Sequence, residues 1–276
     1  MTCPSRFSRR ALTACALIIA GACAPAMAQN SFTVDEGTVP GSFAELVTAD
    51  RISFNYQAKI VQSNDGGPLN GDLFTESGFL TKASFADGGS AVPSQLNGSQ
   101  AGTLENGYGI YGLFDITGTA SQNSTGGITA TFTSATLTLY IDPDQNTTLG
   151  FAGNIAARSG VFGEDYAIAT YTLLVGEAHV FPSLANGDFD TILNMTLTPA
   201  GQAFFASPNP FYTLENFGGN TQTITGASFT APFVADVTGA GTELFLTPIP
   251  EPETYALMLA GLAAVGFIGR RRKQAR

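Results

Sequence analysis

The feature that most constrains the fold of this chain is a series of segments between residues 29 and 248 in which apolar and polar side chains alternate. In residues 128–141 (ITATFTSATLTLYI), Leu137, Leu139 and Ile141 fall on one face, and threonine and tyrosine fall on the other. This period of two is typical of a half-buried strand. Because the same stretch shows no long amphipathic helix, the sequence predicts an all-β domain.

Four further segments alternate in the same way, at residues 52–61, 108–119, 167–175 and 189–197. Turns rich in Asn, Asp and Gly separate them, as expected where strands reverse direction. Successive strands without intervening helices favour an antiparallel β-sandwich or jelly-roll-like domain, predicted to span residues 29–246. One short helix is predicted at residues 199–206, with Thr198 as its cap and Pro199 in the first position.

The stretch between the two ends of the chain is strongly acidic. Residues 29–249 contain 20 acidic against 4 basic residues, a formal charge of −16, whereas the whole chain carries −10. The basic residues are Arg51, Lys59, Lys82 and Arg158. So few cations effectively exclude a basic patch for nucleic acid or for an anionic lipid surface. An acidic surface favours solubility and can recruit divalent cations that bridge to acidic polysaccharide.

Residues 1–28 have the layout of a secretory signal peptide. Three arginines precede an apolar run at residues 11–22, and an A-x-A site ends at Ala28. We predict Sec export, with a signal helix that signal peptidase removes between Ala28 and Gln29. The alternative is a lipoprotein site at Cys23, which lacks the leucine that usually precedes such a cysteine. All three cysteines lie in the signal peptide, so the mature protein would have no disulfide and no cysteine nucleophile.

The carboxyl-terminal residues combine a proline-rich linker, a short apolar run and a basic cluster. The linker is residues 247–254, and its motif residues are Pro250, Glu251 and Pro252. The apolar run at 255–269 would rise roughly 22 Å as a helix, less than the roughly 30 Å of a bilayer core. The basic cluster is Arg270, Arg271, Arg272 and Lys273. Residues 255–276 therefore predict a short transmembrane helix with a basic cytoplasmic tail.

This tripartite tail resembles the PEP-CTERM sorting signal of exopolysaccharide-producing Gram-negative bacteria. The Pro-Glu-Pro motif, the apolar helix and the basic cluster all match, over about a tenth of the chain. The resemblance implies transient anchoring in the inner membrane and cleavage near the motif by the membrane enzyme exosortase. The mature protein would then lie at the cell surface or in the extracellular matrix. The alternative is a simple tail anchor after a proline-rich linker.

The exported part is similar to flocculation-associated PEP-CTERM proteins of the PepA type. The similarity rests on five short stretches, in order along the chain: FTVDEG at 32–37, ADRI at 49–52, LYIDPDQN at 139–146, SLANGDFD at 183–190 and LTPAG at 197–201. It implies a non-enzymatic role in retaining exopolysaccharide and cells in flocs or biofilm. The similarity implies no catalytic residue.

The sequence offers little support for catalysis. A hydrolase needs a nucleophile, a base and an orienting group, but the chain has one histidine, His179, and its exported part has no Gly-x-Ser-x-Gly elbow. A glycosidase needs two carboxylates about 5 to 10 Å apart, a pair that many acidic residues produce by chance. We therefore predict no enzyme activity. Two alternatives stay open: a secreted polysaccharide-active enzyme with an unrecognised carboxylate pair, and a self-assembling surface-layer protein.

One segment, DPDQN, offers oxygen ligands at alternate positions from Asp142, Asp144 and Asn146. This spacing is that of the start of an EF-hand calcium loop. The match ends there, because Thr147 stands where the loop needs glycine and Gly153 stands where it needs a bidentate glutamate. A calcium site here would need remote carboxylates to complete it. Otherwise the segment is a polar turn that closes the preceding strand, and no other cofactor is predicted.

Overall fold

The computed structural model describes residues 30–62, 67–98, 107–230 and 232–246. Within these residues the chain forms one short α-helix, α1 (Pro199–Phe204), a 3₁₀ turn (Glu36–Thr38) and 14 strands. The strands are β1 (Phe32–Asp35), β2 (Leu46–Ala49), β3 (Arg51–Gln62), β4 (Asn70–Asp87), β5 (Ser90–Ala91), β6 (Gly109–Gln122), β7 (Ile128–Asp142), β8 (Thr147–Ala152), β9 (Ile155–Gly160), β10 (Tyr166–Val180), β11 (Gly187–Leu197), β12 (Phe205–Ser207), β13 (Leu214–Thr225) and β14 (Phe233–Leu246).

Several of the predicted features lie outside the described residues. They are the signal peptide with its cleavage site at Ala28 and Gln29, the motif residues Pro250, Glu251 and Pro252, and the apolar run with Arg270, Arg271 and Arg272. The predicted domain boundaries also stay predictions. Among the described residues, no helix has the length and apolar character needed to cross a membrane.

Eight strands form a closed antiparallel barrel in the order β3-β14-β13-β11-β10-β7-β6-β4. Closure comes from β3, which pairs with β14 on one side and with β4 on the other. The prediction of an all-β, antiparallel domain is confirmed, but the prediction of a β-sandwich or jelly roll is wrong. The reason is that alternation with a period of two is the same in two facing sheets and in one sheet closed on itself.

The five segments predicted from alternation are strands, and their apolar faces point into the barrel. In β7, for example, Leu137 and Ile141 are buried. The short helix is also present, and the Thr198 hydroxyl accepts a hydrogen bond from the Gly201 amide at 3.1 Å, as predicted for its cap. Its end at Phe204 falls slightly before the predicted end, because the chain continues directly into β12.

Aromatic side chains fill the barrel interior where glycines on neighbouring strands leave room for them. A Cβ atom on Gly78 would lie 2.3 Å from Cζ of Phe114, and one on Gly239 would lie 2.5 Å from the ring of Tyr56. The Tyr56 hydroxyl is also 2.6 Å from Thr221 Oγ1, in a buried hydrogen bond. Pairing a large ring with a glycine on the next strand keeps the core dense without forcing the strands apart.

One end of the barrel is closed by a second sheet in the order β12-β1-β2, together with α1. The ring of Phe32 on β1 packs edge-on against Phe245 on β14, with ring centroids 5.0 Å apart. Nearby, the Tyr212 hydroxyl donates a 2.8 Å hydrogen bond to the Ser31 carbonyl. We call this end the tail pole, because β14, the last described strand, ends here at Leu246.

Strands β8 and β9 form a hairpin, the external hairpin, that lies on the outer face of β3, β4 and β6. Phe151 of this hairpin packs against Phe79, with ring centroids 5.1 Å apart. The Ala156 amide donates a 3.0 Å hydrogen bond to Ser77 Oγ. Ser77 and Phe79 occupy the outward-facing positions of β4, and both are nevertheless buried because the hairpin covers them.

Candidate functional site

Two glutamates lie close together inside the barrel near the tail pole. Glu215 of β13 pairs in register with Phe245, and Glu243 lies two positions before Phe245 on β14. Both side chains are fully buried, and Glu215 interacts with Glu243 and with the Tyr171 hydroxyl. Burial raises the pKa of Glu243 to about 8. Burial, and then the charge of Glu243, raise the pKa of Glu215 well above its ordinary value, so the barrel interior favours the protonated form of both carboxyls.

Sequence reasoning missed this pair, because acidic residues in an exported chain were taken to face solvent. Their position in the strand pattern could have indicated burial. Glu215 lies two positions before Phe217, and Glu243 lies two positions before Phe245, so each glutamate shares the inward face of its strand with a buried phenylalanine. A glycosidase needs a sugar ring between its two carboxyl groups. A polysaccharide chain cannot reach side chains that the closed barrel buries completely.

A cavity of about 90 Å³ also lies inside the barrel and is lined mainly by apolar side chains. Glu76 of β4 and Asp188 of β11 are its acidic lining residues, and burial raises the pKa of the Glu76 carboxyl to about 7. Tyr56 and Thr221 line the same space with hydroxyl groups that bond to each other. Small-molecule sites usually measure roughly 300 to 1,000 Å³, so this cavity does not define a ligand class.

The three residues predicted as calcium ligands, Asp142, Asp144 and Asn146, differ in burial. Asp142 is buried at the end of β7, and its carboxylate accepts hydrogen bonds from the backbone amides of Asn146 at 3.3 Å and Thr147 at 3.0 Å. Asp144 and Asn146 are exposed in the turn that follows. The segment therefore forms a polar turn that closes β7, and Asp142 stabilises that turn.

Asp142 instead lies beside two acidic residues from the segment between β9 and β10, and we call Asp142, Glu164 and Asp165 the acidic cluster. Carboxylate oxygens of all three lie within 4.8 Å of one another. The Asp165 side chain is fully buried, and its Oδ2 accepts hydrogen bonds from the hydroxyls of Tyr111 at 2.5 Å and Thr147 at 2.7 Å. Asp165 Oδ1 and Glu164 Oε1 are buried without a hydrogen-bond partner among the described residues.

Arg158 of the external hairpin lies next to the acidic cluster. Its Nη1 donates a 2.9 Å hydrogen bond to the Tyr111 hydroxyl and lies 3.9 Å from Asp165 Oδ2. The same guanidinium lies over the rings of Tyr140 and Phe162, 4.7 and 4.8 Å from their centroids. Tyr111 and Tyr140 stack on each other with centroids 5.1 Å apart. These cation–π and hydrogen-bond contacts hold the second strand of the hairpin against the barrel wall.

His179 lies on the outer wall near the end of β10. Its Nδ1 is 2.9 Å from Asp188 Oδ1, and the two side chains are 40% and 43% exposed. Among the described residues no serine or threonine hydroxyl bonds to this ring. The pair therefore lacks the nucleophile that a hydrolytic triad requires.

A shallow groove of about 420 Å³, the polar groove, crosses the outer wall of β4, β3, β14 and β13. Its polar side chains are Ser53, Asn55, Lys82, Ser84, Asn220 and Thr242. Lys82 has a left-handed backbone, with φ of 52°, at a bulge that shifts the pairing of β4 with β3. In the described part of the chain, the other three cations form ion pairs and Lys82 does not.

Residues 248–273 match the family model described as the PEP-CTERM protein-sorting motif. The match spans the Pro-Glu-Pro motif, the apolar run and the basic cluster. No curated protein and no solved structure is detectably similar to the chain. The sorting signal implies exosortase-dependent sorting. It indicates that the protein is exported and carries a carboxyl-terminal, membrane-anchoring signal. The protein later becomes associated with the cell surface.

Proposed function

We propose that this protein is a non-enzymatic matrix protein that exosortase delivers to the cell surface, where it binds exopolysaccharide and holds cells together in flocs or biofilm. The sorting signal at residues 248–273 carries the proposal, because it specifies export, anchoring and processing. Sec export, followed by removal of residues 1–28 by signal peptidase, completes the route. The polymer-binding role is proposed from the resemblance of five short sequence stretches to flocculation-associated PEP-CTERM proteins, and no curated relative supports that resemblance.

The polar groove supports binding of an acidic polymer. Its hydroxyl and amide side chains are both donors and acceptors, which suits the hydroxyls of a sugar chain. Lys82 adds one positive charge that is free to pair with a uronate or similar acidic group. With an overall charge of −16 on residues 29–249, most of the remaining surface repels an acidic polymer unless divalent cations bridge the two.

The two arrangements that most nearly suit catalysis support a non-enzymatic role. Glu215 and Glu243 are buried inside the barrel, so a polymer cannot reach them. His179 and Asp188 lie at the surface but have no partner hydroxyl in the described part of the chain. Neither arrangement combines an accessible nucleophile with a base.

Incubating the mature protein with exopolysaccharide from its host tests the proposal. We expect the protein to co-sediment with the polymer without releasing new reducing ends. Release of reducing ends would favour the polysaccharide-active enzyme, and growth of large particles without polymer, seen by light scattering, would favour the surface-layer alternative. Deleting the gene should leave polysaccharide synthesis intact but disperse the flocs, and unchanged flocculation would contradict the proposal.

A further inference from the structure

We propose that the acidic cluster of Asp142, Glu164 and Asp165 binds a calcium ion, and that this ion fastens the external hairpin to the barrel. The inference concerns a part of the surface that is separate from the polar groove, and it does not depend on the proposed function.

The charges of the cluster are not balanced by protein groups. Three carboxylates converge within 4.8 Å, and the one cation that forms an ion pair with them among the described residues is Arg158, whose Nη1 donates a hydrogen bond to Tyr111. Its Nη1 is 3.9 Å from Asp165 Oδ2, too far for a hydrogen bond. The mutual repulsion of the carboxylates is therefore only partly offset by protein groups.

Two oxygen atoms of the cluster are also buried without a hydrogen-bond partner. The Asp165 side chain is fully buried, and its Oδ1 has no hydrogen-bond partner among the described residues; the same holds for the buried Glu164 Oε1. A buried carboxylate oxygen without a hydrogen-bond partner has lost its hydration, and no protein interaction offsets that cost in free energy. A cation bound between these oxygens would supply the missing interaction.

The chemistry of the cluster favours calcium. Its ligands are all carboxylate oxygens, which hard cations prefer. Calcium accepts about six to eight oxygens in a flexible geometry, whereas magnesium requires a nearly ideal octahedron and usually keeps several of its waters. With three protein residues as ligands, several coordination positions of the calcium ion would be filled by water. We therefore expect an affinity of the order of 10⁻⁴ to 10⁻³ M, the range of extracellular calcium modules.

The position of the cluster in the chain gives the ion a structural role. Asp142 is the last residue of β7, directly before the external hairpin, and Glu164 and Asp165 come directly before β10, after the hairpin. An ion bound to all three would join both ends of the hairpin segment at the barrel wall. Calcium should then reduce the opening of the hairpin.

Limited trypsin digestion of the mature protein, purified from its host, measures this opening. Trypsin cuts after Lys and Arg, and in residues 29–249 the possible sites are Arg51, Lys59, Lys82 and Arg158. Only Arg158 lies in the hairpin. We expect 5 mM calcium to slow cleavage at Arg158 by at least tenfold relative to chelator. Cleavage at Lys82, on the barrel wall, is the internal reference.

Two variants locate the site. Glu164→Gln removes a charge whose Oε1 has no hydrogen bond to lose within the described residues, so it should abolish the calcium effect while leaving the protein folded. Asp144→Asn is the matched control, because Asp144 is exposed in the adjacent turn and lies outside the cluster. It should keep the full response to calcium.

Terbium luminescence gives a second readout that needs no variant. The Tyr111 hydroxyl donates a hydrogen bond to Asp165, so excitation of tyrosine should sensitise the luminescence of terbium bound in the cluster. Calcium should displace the terbium and remove this luminescence. Absence of both terbium sensitisation and calcium protection in the parent would overturn the proposal. A Glu164→Gln protein that responds like the parent would also overturn it, as would loss of the response in Asp144→Asn.

Discussion

The side-chain amide of Asn30 donates a 2.6 Å hydrogen bond to the backbone carbonyl of Phe245, although 215 positions separate the two residues. The beginning and the end of the described chain therefore meet at the tail pole. Only residues 247–249 separate β14 from Pro250, and three residues span at most about 11 Å. Exosortase must consequently act close to the barrel.

Deleting residues 247–249 should slow processing, because the folded barrel would then crowd the Pro-Glu-Pro motif. We expect unprocessed precursor to accumulate in the membrane fraction, as measured by immunoblotting in a pulse-chase experiment. Replacing the same three residues with Gly-Ser-Gly is the matched control, since it keeps the spacing, and it should be processed at the parental rate. Equal processing of the deletion variant would show that the spacing is unimportant.

The protein should be more stable in mild acid than in mild alkali. The pKa values of Glu76 and Glu243 rise from 4.5 to about 7 and about 8 on folding, and the pKa of Glu215 rises as well. The folded state thus binds more protons than the unfolded state. The stability from these groups is fully present below about pH 4.5 and is lost as the pH rises through 7 and 8.

We expect the melting temperature, measured by circular dichroism, to fall by at least about 5 °C between pH 5 and pH 9. Glu243→Gln should flatten this dependence, because an amide has no proton to lose in that range. Glu177→Gln, at an exposed position of β10, should leave the dependence as it is in the parent. A parent protein that becomes more stable from pH 5 to pH 9 would contradict the assignment of buried, protonated glutamates.

Gly78→Ala should destabilise the barrel. The new Cβ would lie 2.3 Å from Cζ of Phe114 and 2.6 Å from the Gln57 carbonyl oxygen, so both the ring and the neighbouring strand would have to move. Overpacking of this kind costs about 1 to 3 kcal/mol of unfolding free energy. Gly150→Ala, where a Cβ meets no atom within 4 Å, is the control. Urea unfolding should separate the two variants, and equal midpoints would refute the packing argument.

Lys82→Gln should weaken binding to acidic exopolysaccharide by about tenfold, since a charge-assisted hydrogen bond contributes about 1.5 kcal/mol or more. Lys59→Gln is the control, because Lys59 already pairs with Asp236 on the outer wall. Co-sedimentation at two salt concentrations would measure both effects. An unchanged affinity in Lys82→Gln would place the polymer-binding surface elsewhere.

Alternation located β3, β6, β7, β10 and β11, but it did not locate the other three barrel strands, β13, β14 and β4. In β4 the external hairpin buries Ser77 and Phe79 on the outward side, and the bulge at Lys82 shifts the phase. The closure of the barrel could not be predicted from the sequence either, because the pairing of β3 with β14, the first and last barrel strands along the chain, is not encoded in the pattern of either strand alone. Local signals such as the Thr198 cap were sufficient for the helix.

The acidic cluster, too, could be predicted from the sequence only in part. The spacing of the DPDQN segment singled out Asp142, but nothing in the sequence indicated that Glu164 and Asp165 return to it after the external hairpin. Exposed Asp144 and Asn146 had the right spacing and lie outside the cluster. When the ligands lie before and after a hairpin, their meeting depends on how the hairpin packs against the barrel. The spacing of residues along the sequence does not describe that packing.

Intact-mass spectrometry of the protein from its host, with and without the exosortase gene, tests the central claim most directly. Signal peptidase and exosortase processing together predict a chain that begins at Gln29 and ends near residues 250–252 in the parent strain. In the strain without exosortase, the chain should retain residues 255–276. A chain that retains residues 255–276 in both strains would contradict processing at the sorting signal.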